Sequence, residues 1–407
     1  MKKLHLLTQK FTLIFVLALC SVQLSAQDII TLVWQVDISS NRGFSILATS
    51  GESFIIDWGD GKIETGKGKG SLEQIWHYYI TGGEYEVMLS SITSSCSFSS
   101  FEVEGQKVSK LNVSKCPSIN SIRCSNNNIT NIDLSECTVL TSLSCDANSL
   151  TYLDLSYCTA LTSLRCNDNN LTYLDLSECT ALTYLRCNDN KLTHLDLSHC
   201  PVFTYLNCNN NHLQLSDLYE AQLFINESLL ISALGTQNLP STWANIETEL
   251  FADQAVFEGV FTEYKIEIDG ELAPKDNYSV KDGKLVFHTF GKYTVTMTNE
   301  AIISHPLNPA QVIVEINIVP VSVKENESLN IEVYPNPTTG ELRIENGELR
   351  IISVEVFDIY GRKQKAESRK QKAESEMVLD ISGLSAGIYF VRISTEKGVV
   401  NKKVVKY

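Results

Sequence analysis

Basic residues are scarce in this chain relative to acidic ones. Its 407 residues include 33 Lys and Arg against 48 Asp and Glu, so the formal net charge is −15. Proteins that bind nucleic acid rely on positive charge to neutralise phosphates, and this balance argues against such a partner. Hydrophobic residues at 43% and charged residues at 20% are typical of folded domains, and the length predicts two to four of them.

Motifs for catalysis and metal binding are also missing. None of the seven histidines lies in a metal-binding or triad motif, and the twelve cysteines contain no C-x-x-C pair. Residues 383–387 match the G-x-S-x-G nucleophile elbow, which requires a following helix. The strand-like IYFVRI follows instead, so we assign Ser385 to a turn. These absences predict a protein that is not an enzyme and that carries no cofactor or metal ion.

Long apolar runs are absent except near the N-terminus. Lys2, Lys3 and Lys10 accompany the apolar residues 12–20, a stretch too short to span a bilayer. Small residues precede Gln27, so residues 1–26 are predicted to be a signal peptide that directs export to the periplasm. Cys20 raises the alternative of a lipoprotein, but the bulky Leu19 before it favours release. No other segment predicts an integral membrane helix.

One part of the chain repeats every 21 residues. Two cysteine series, one asparagine series and one aspartate series keep this step. Their members are Cys124, Cys145, Cys166, Cys187 and Cys208; Cys116, Cys137, Cys158, Cys179 and Cys200; Asn127, Asn148, Asn169, Asn190 and Asn211; and Asp133, Asp154, Asp175 and Asp196. Several independent positions in one phase predict a repeat architecture in which each unit stacks on its neighbours.

The unit reads L-x-x-L-x-C-x-x-N-x-L-T-x-L-D-L-S-x-C-x-x. It resembles the leucine-rich repeat family, and more closely the 21-residue nested class of bacterial surface proteins. The resemblance covers residues 98–215, and its first unit is degenerate, with Val103 replacing the cysteine and Gln106 the asparagine. It implies a solenoid over residues 96–240, within a mainly β protein in which β-sandwiches flank the repeats.

We expect the repeated cysteines to be buried thiols, because a free cysteine behaves as a small apolar residue. Stacked coils lie about 4.8 Å apart. A disulfide needs Cβ atoms about 3.8 Å apart, so disulfides within a ladder are the second alternative and a metal site the third. Asparagine tolerates tight turns and bonds local backbone, so we interpret the asparagine ladder as structural.

Alternation along extended backbone predicts two exposed ladders if both halves of each unit are strands. The first is acidic and aromatic, the second mildly basic and aromatic, and exposed rings on a rigid face are typical of binding surfaces. The first, our predicted ligand-binding row, is Asp133, Asp154, Asp175 and Asp196 with Tyr152, Tyr173 and His194. The second, its alternative, is Arg123, Ser144, Arg165, Arg186 and Asn207 with Tyr184 and Tyr205.

The aspartate ladder needs a compensating partner, because adjacent carboxylates in register repel by about 1 kcal/mol in water. Two explanations stay open. The first is hydrogen bonding to the serines that lie two residues further on or to nearby backbone, and we favour it. The second is a cationic ligand or Ca²⁺, which prefers several oxygen ligands.

Both flanks of the repeat read as β-structure. Residues 27–95 contain IIDWGDG and GEYEV and resemble the PKD-like β-sandwich family, with Asp57 and Asp60 expected to form a turn. Residues 218–239 lose the repeat phase and are expected to cap the solenoid. Short alternating strands over residues 241–320 predict an Ig-like sandwich, and a linker is expected at 321–330.

Residues 331–407 resemble the C-terminal sorting domain of type IX secretion. The resemblance rests on VYPNP at 333–337, GIY at 387–389 and KKVVK at 402–406. Its matching positions are Pro335, Asn336, Pro337, Gly387, Tyr389, Lys402, Lys403 and Lys406. It implies passage across the outer membrane of a Gram-negative bacterium by the type IX machinery, then removal of the domain and, often, anchoring to lipopolysaccharide.

These features together predict an exported, non-catalytic adhesin or binding module on the cell surface or in the medium. Its extracellular partner would be a host protein, a glycan or a neighbouring cell surface. Two alternatives stay open: a passive envelope stalk without a ligand, and a non-catalytic accessory of a surface hydrolase system.

Overall fold

The computed structural model describes residues 28–225, 234–303, 309–319, 331–345, 351–358, 363–364, 367–370, 376–395 and 398–407. The predicted signal peptide lies outside these residues. The chain divides into two compact units, Met1–Lys191 with Asp196–Leu206, and Leu192–Leu195 with Asn207–Tyr407. No helix in the described part is long and apolar enough to cross a membrane.

The first unit is built from strands. They are β1 (Ile29–Val36), β2 (Ser40–Ala48), β3 (Ser53–Asp57), β4 (Ile63–Lys67), β5 (Glu73–Tyr79), β6 (Gly83–Ser91), β7 (Phe98–Glu102), β8 (Val108–Lys115), β9 (Ser121–Arg123), β10 (Asn131–Asp133), β11 (Ser142–Ser144), β12 (Ser163–Arg165), β13 (Tyr184–Arg186) and β14 (Tyr205–Asn207). One sheet has the order β10-β8-β1-β6-β3-β4. The other, with the order β14-β13-β12-β11-β9-β7-β2-β5, is called here the long sheet.

Aromatic side chains fill the space between the two sheets at the N-terminal end. Trp34, Trp58 and Tyr79 are fully buried. The Trp34 indole donates to Tyr79 Oη at 3.2 Å, and that hydroxyl donates to the Trp58 carbonyl at 2.8 Å, so the buried polar atoms of Tyr79 and Trp34 are satisfied. Asp57 and Asp60 each accept a backbone N–H two residues further on, at 3.0 Å. This is the turn-forming role expected of both carboxylates.

The sequence predicts a boundary between the sandwich and the solenoid at residues 95 and 96. Each of the two sheets contains strands from both sides of this boundary. β2 pairs with β7, and β7 pairs with β9 in parallel register, Phe101 opposite Ile122. The degenerate first unit also stacks as a coil, because Val103 N donates to the Arg123 carbonyl at 2.8 Å. The sandwich therefore covers the first coil through continuous hydrogen bonding, so the first coil itself exposes no strand edge.

The solenoid confirms the predicted leucine-rich repeat architecture, with one correction. The L-x-C half of each unit forms a parallel strand in register, Leu143 opposite Leu164 and Leu164 opposite Leu185. The L-D-L half pairs as strands only in β8 and β10; its later copies, such as residues 153–155, form no strand and lead directly into turns. The prediction of a second strand ladder along the whole solenoid is therefore wrong. The aspartate accepts the N–H of the serine two residues further on both in β10 and in the later copies, as Asp133 and Asp154 show.

The asparagine ladder holds the coils together, as predicted. Asn169 is buried; its Nδ2 donates to the carbonyls of Cys145 at 3.0 Å and Cys166 at 3.2 Å, and its Oδ1 accepts Leu150 N at 2.9 Å. The residue before each ladder asparagine is left-handed, with φ between 53° and 57°; these residues are Asn126, Ala147, Asp168, Asp189 and Asn210. Each turn thus repeats one tight conformation that asparagine and aspartate tolerate.

The cysteine ladders are buried, as predicted. All eleven described cysteines are free and buried. In one ladder the thiols of Cys124, Cys145 and Cys166 donate to a carbonyl one coil further on; Cys145 reaches the Arg165 carbonyl and Cys166 the Arg186 carbonyl, both at 3.5 Å. Burial raises the pKa of Cys166 and Cys179 to about 12, so these thiols stay protonated at neutral pH.

The second unit begins with the end of the repeat. Helix α1 (Leu215–Gln222) follows it, and β15 (Thr236–Asn238) brings the fully buried Gln237 to the position of a further ladder asparagine. Gln237 Nε2 donates to the Cys208 carbonyl at 3.0 Å, and its Oε1 accepts Asn211 N at 3.0 Å. The cap predicted from the loss of phase therefore continues the ladder with a longer amide.

The strands that follow form several sheets. They are β16 (Thr242–Asn245), β17 (Val256–Phe257), β18 (Val260–Phe261), β19 (Glu263–Ile268), β20 (Glu271–Leu272), β21 (Tyr278–Lys281), β22 (Lys284–Phe287), β23 (Gly291–Thr298) and β24 (Gln311–Val319). β15, β24, β23, β19 and β20 form the main sheet, with β16 also paired to β24.

The C-terminal segment contains two four-stranded sheets. Its strands are β25 (Glu332–Tyr334), β26 (Glu341–Glu345), β27 (Ile351–Asp358), β28 (Lys363–Gln364), β29 (Glu367–Lys370), β30 (Glu376–Asp380), β31 (Gly387–Thr395) and β32 (Gly398–Lys406). The sheet orders are β25-β26-β30-β29 and β28-β27-β31-β32. Leu342, Ile344, Val391, Ile393 and Val404 are among the buried residues of its core.

Candidate binding face on the solenoid

The outer face of the long sheet presents the second predicted ladder. In β9 to β14 the central residue of each strand, such as Leu164 or Leu185, is buried, and the residues on either side of it point outward. Arg165 and Arg186 are opposite each other in the parallel register, as are Ser163 and Tyr184. The alternation predicted from the sequence therefore holds in this half of the repeat.

Arginine and tyrosine side chains pack against each other on this face. The rings of Tyr184 and Tyr205 stack with centroids 4.4 Å apart and planes 7° from parallel. The Arg165 guanidinium lies 5.5 Å from the Tyr184 centroid. Arg186 lies 5.7 Å from the Tyr184 centroid and 5.6 Å from that of Tyr205. These contacts are within cation–π range, so they hold the two guanidinium groups in place before any ligand arrives. We call this group the Arg–Tyr cluster: Arg165, Tyr184, Arg186 and Tyr205.

The positive charge of the Arg–Tyr cluster is not neutralised. Arg123, on the same face, is 3.6 Å from the Glu102 carboxylate. Across the described residues, neither Arg165 nor Arg186 forms an ion pair, and Arg186 Nε is buried with no hydrogen-bond partner. Because this atom is enclosed, an external acceptor would bind the terminal N–H groups of the exposed Arg165 and the half-buried Arg186.

A cavity of about 190 Å³ lies beside the cluster on the same face. Its lining carries hydroxyl groups, two guanidinium groups and one carboxylate, from Glu104, Arg123, Ser142, Leu143, Ser144, Ser163 and Arg165. Glu104 was not singled out from the sequence, because it belongs to the degenerate first unit and its position is not kept as one residue type; the next two units have Ser125 and Asp146 there. This wall offers both donors and acceptors to a polar ligand.

The aspartates of the first predicted ladder accept hydrogen bonds from the backbone N–H groups of nearby serines. Asp154 Oδ1 accepts Ser156 N at 3.0 Å, and Asp175 Oδ1 accepts Ser177 N at 3.0 Å. Hydrogen bonds from Ser156 and Ser177 hold the pKa of these two carboxyls below the usual range. The described residues contain no group of three or more His, Cys, Asp or Glu side chains arranged to hold a metal ion. The geometry thus favours the serine explanation of this ladder.

The three aromatic residues of the first ladder differ in their contacts. Tyr152 and Tyr173 are 61% and 54% exposed. The equivalent His194 instead bonds through Nδ1 to Asp217 Oδ1 of helix α1 at 2.7 Å. Asp217 also accepts Gln214 N at 2.8 Å, so His194 anchors the start of the cap helix. His194 keeps about half of its side chain exposed but is tied to the cap helix, whereas no side-chain hydrogen bond of Tyr152 or Tyr173 is seen among the described residues.

One hydroxyl–imidazole–carboxylate chain was missed by sequence reasoning. His288 contacts Ser279 Oγ through Nε2 at 2.9 Å and Glu247 Oε1 through Nδ1 at 2.8 Å. Ser279 is exposed, and the Glu247 side chain is 62% exposed. A catalytic triad needs a buried carboxylate and a water-excluded site, because exposed ion pairs are weak. This chain of contacts is better explained as a clasp that joins the ends of β21 and β22 to the Glu247 turn.

The predicted sorting residues meet at the C-terminal strand. Asn336 Nδ2 donates to the Lys403 carbonyl at 2.7 Å, and Val405 N donates to Asn336 Oδ1 at 2.9 Å. Thr338 adds backbone bonds to Val405 and Tyr407, a contribution that the sequence pattern did not reveal. The VYPNP motif therefore binds the backbone of the KKVVK strand. The side chain of Lys403 is exposed and takes no part in these backbone hydrogen bonds.

The remaining sorting residues lie in β31 and β32. Gly387 is opposite Lys406, and Tyr389 is opposite Val404. Tyr389 Oη donates to the Ser385 carbonyl at 2.8 Å. Ser385 lies in a turn that leads into β31, so the structure confirms its assignment to a turn before a strand.

Comparison with solved structures identifies bacterial repeat proteins of low overall similarity. The functional domain of InlJ from Listeria monocytogenes, which includes a cysteine ladder, is 19% identical over 54% of this chain and 62% of that chain, with a TM-score of 0.22. InlP from Listeria monocytogenes is 18% identical over 54% of this chain and 66% of that chain, with a TM-score of 0.36. The internalin-like protein lmo2027 of the same organism is 13% identical over 50% and 66%, with a TM-score of 0.25. The chain spans less than two thirds of each.

No curated protein matches the chain. Residues 332–407 match the model of the secretion system C-terminal sorting domain family. This match confirms the assignment made from VYPNP, GIY and KKVVK, and it implies contact with the secretion machinery. The C-terminal segment is thus a sorting domain, and the chain carries the signal of a protein exported to the cell surface or the medium.

Proposed function

We propose that this chain is a surface or secreted binding protein of a Gram-negative bacterium, and that it recognises an acidic polymer through the Arg–Tyr cluster. The periplasm is reached through the N-terminal signal peptide, and the outer surface through the type IX machinery. The ligand carries carboxylate or sulfate groups at intervals along a chain. The observation that supports this proposal above all is the pair of guanidinium groups without ion-pair partners that pack against the stacked rings of Tyr184 and Tyr205.

Charge gives this face its preference. The chain as a whole is acidic, with a net charge of −15, so it repels most anionic surfaces. Arg165 and Arg186 place positive charge on this otherwise acidic chain. They lie in adjacent coils, so their spacing follows the strand separation of about 4.8 Å. A planar guanidinium forms paired hydrogen bonds with carboxylate or sulfate, so successive acid groups of a polymer could bind successive coils.

Rigidity favours this face over the row of Tyr152 and Tyr173. Cation–π and ring contacts already order the side chains of the Arg–Tyr cluster, so binding loses little side-chain entropy there. Tyr152 and Tyr173 instead extend from the L-D-L half of the repeat, which forms no strand there, and their neighbouring carboxylates accept backbone N–H groups. We therefore use that row as the comparison surface in binding experiments.

Matched polymers test the proposal on the ligand side. Dextran sulfate and dextran share one backbone and differ in the acid group, so their affinities for the full chain can be compared by affinity electrophoresis. We expect dextran sulfate to bind at least about tenfold more tightly, with a preference that weakens as salt increases. Equal affinities would contradict recognition of the acid group, and binding of neither polymer together with no binding to polygalacturonate would favour a passive stalk.

A further inference from the structure

A second exposed aromatic group lies at the other end of the long sheet, on its edge strand β5. Trp76 and Tyr78 are each 50% exposed, whereas the alternate residues His77 and Tyr79 are buried. The two exposed rings therefore point to the outer face of the long sheet. Their strand is separated from the Arg–Tyr cluster by β2, β7, β9 and β11, so the two aromatic groups are distinct.

Trp76 is held against the backbone of the neighbouring strand. Gly43 of β2 is opposite Trp76 in the antiparallel register. A Cβ placed on Gly43 would lie 2.6 Å from an indole carbon of Trp76 and 2.5 Å from the Ile75 carbonyl oxygen. Glycine is thus required for this approach, in which one side of the indole covers the strand and the other meets solvent.

On β5 and β2 the outward-facing side chains beside the two rings are polar but uncharged. The outward-facing partners on the same two strands are Asn41, opposite Tyr78, and the pair of Ser45 and Gln74. An ion-pairing ligand finds no partner among these groups, whereas amide and hydroxyl side chains both donate and accept hydrogen bonds. A sugar has this chemistry, since the C–H face of a pyranose ring stacks on an aromatic ring and its hydroxyls bond at the rim.

We propose that Trp76 and Tyr78 form a stacking platform for the pyranose rings of a neutral polysaccharide. Residues two apart on a strand are separated by about 6.6 Å. The two rings can therefore contact neighbouring sugars of one chain that runs along β5. This site goes beyond the proposed recognition of acid groups by Arg165 and Arg186, and it does not depend on it.

Affinity electrophoresis of the full chain in gels that contain laminarin or glucomannan tests this site. We expect retardation by at least one of these neutral polymers. Trp76→Leu keeps an apolar side chain but removes the aromatic face, so it should weaken binding at least about tenfold. Trp76→Phe should retain affinity within about threefold. Thermal unfolding of each variant checks that the fold is intact.

Ile80 supplies a matched control, because it is 68% exposed, lies beyond Tyr78 and is apolar without being aromatic. Ile80→Ala should bind as the unmodified protein does. Equal losses in Ile80→Ala and Trp76→Leu would contradict sugar stacking and indicate docking of an apolar protein or lipid surface. Absence of retardation by either polymer, or full binding by Trp76→Leu, would also overturn the proposal. Arg165→Gln with Arg186→Gln should leave this binding intact, so failure of one site is distinguishable from failure of the other.

Discussion

Tyr184 and Tyr205 stack across adjacent coils, with ring centroids 4.4 Å apart and planes 7° from parallel. They are 21 residues apart in the chain, so the stack is a direct product of the repeat. Strands in register place equivalent side chains about 4.8 Å apart, which is close to the optimal separation of stacked rings. Arg186 lies against both rings. Repetition of one coil thus creates an ordered cationic surface that no single unit could hold.

The buried thiols predict loss of stability in alkali. Burial raises the pKa of Cys158, Cys166 and Cys179 to about 12, whereas a thiol of the unfolded chain ionises near pH 9. Between these values the folded state binds more protons than the unfolded state, so stability is intact below about pH 9 and falls as pH rises. Each thiol contributes a slope of about 1.4 kcal/mol per pH unit.

The slope can be measured by denaturant unfolding between pH 7 and 11. Cys166→Ala should reduce the slope of the free energy of unfolding against pH by the contribution of one thiol. Tyrosines also titrate in this range, but their contribution is the same in both proteins and cancels in the comparison. A free energy of unfolding that is flat up to pH 11 would show that the ladder thiols are not buried as described.

The asparagine ladder predicts a large cost for losing one amide. Asn169→Ala removes donors to the Cys145 and Cys166 carbonyls and the acceptor of Leu150 N. Buried groups without partners cost about 1–3 kcal/mol each, so we expect a loss of about 3 kcal/mol or more in the free energy of unfolding. The adjacent Asn170 uses only its backbone in this network, so Asn170→Ala should cost less than about 0.5 kcal/mol. Similar losses in both variants would contradict the ladder.

Ala147 predicts a stabilising substitution. It has φ of 53° at the turn position where the other coils have Asn126, Asp168, Asp189 and Asn210. An alanine in the left-handed region is strained by about 1 kcal/mol relative to residues that tolerate it. We expect Ala147→Asn to raise the free energy of unfolding by about 0.5–1 kcal/mol, whereas Ala160→Asn, at a half-buried turn position without a positive φ, should not raise it. Destabilisation by Ala147→Asn would show that the turn conformations differ between coils.

The sorting domain predicts the site of accumulation in the cell. A chain that ends at Val323 lacks both the VYPNP motif and the KKVVK strand, so it should be held in the periplasm. Cell fractionation with surface proteolysis measures this. The matched control is the full chain with Ser385→Ala, which alters a turn residue outside the VYPNP motif and should reach the surface normally. Surface delivery of the shortened chain in normal amounts would refute the role assigned to this domain.

Much of the fold could be predicted because repetition amplifies local chemistry. The phase of Cys124, Cys145 and Cys166 predicts burial without any tertiary information, and alternation around Leu164 predicts which side chains face solvent. The L-D-L half was expected to be extended, since its pattern alternates in the same way. Its later copies form no strand, although Asp133 in β10 accepts Ser135 N just as Asp154 accepts Ser156 N, so the difference between the copies leaves no trace in the alternating pattern.

The candidate sites were predictable only in part. The rings of Tyr184 and Tyr205 follow from the repeat phase, but their packing against Arg165 and Arg186 depends on side-chain rotamers that a sequence does not encode directly. Trp76 was not recognised as exposed, because strand β5 lies at an edge where inward and outward positions both carry aromatic residues. His194 was grouped with Tyr152 and Tyr173, since its partner Asp217 lies after the last repeat.

The central claim is that the Arg–Tyr cluster is the ligand-contacting part of the solenoid, and a comparison of two double variants tests it most directly. The affinity for dextran sulfate is measured for Arg165→Gln with Arg186→Gln and for Tyr152→Ala with Tyr173→Ala. We predict that the first pair weakens binding at least about tenfold while the second changes it less than about twofold, with both proteins folded. Undiminished binding by the arginine variant, together with loss in the tyrosine variant, would contradict this account and assign the ligand to the Tyr152 and Tyr173 row.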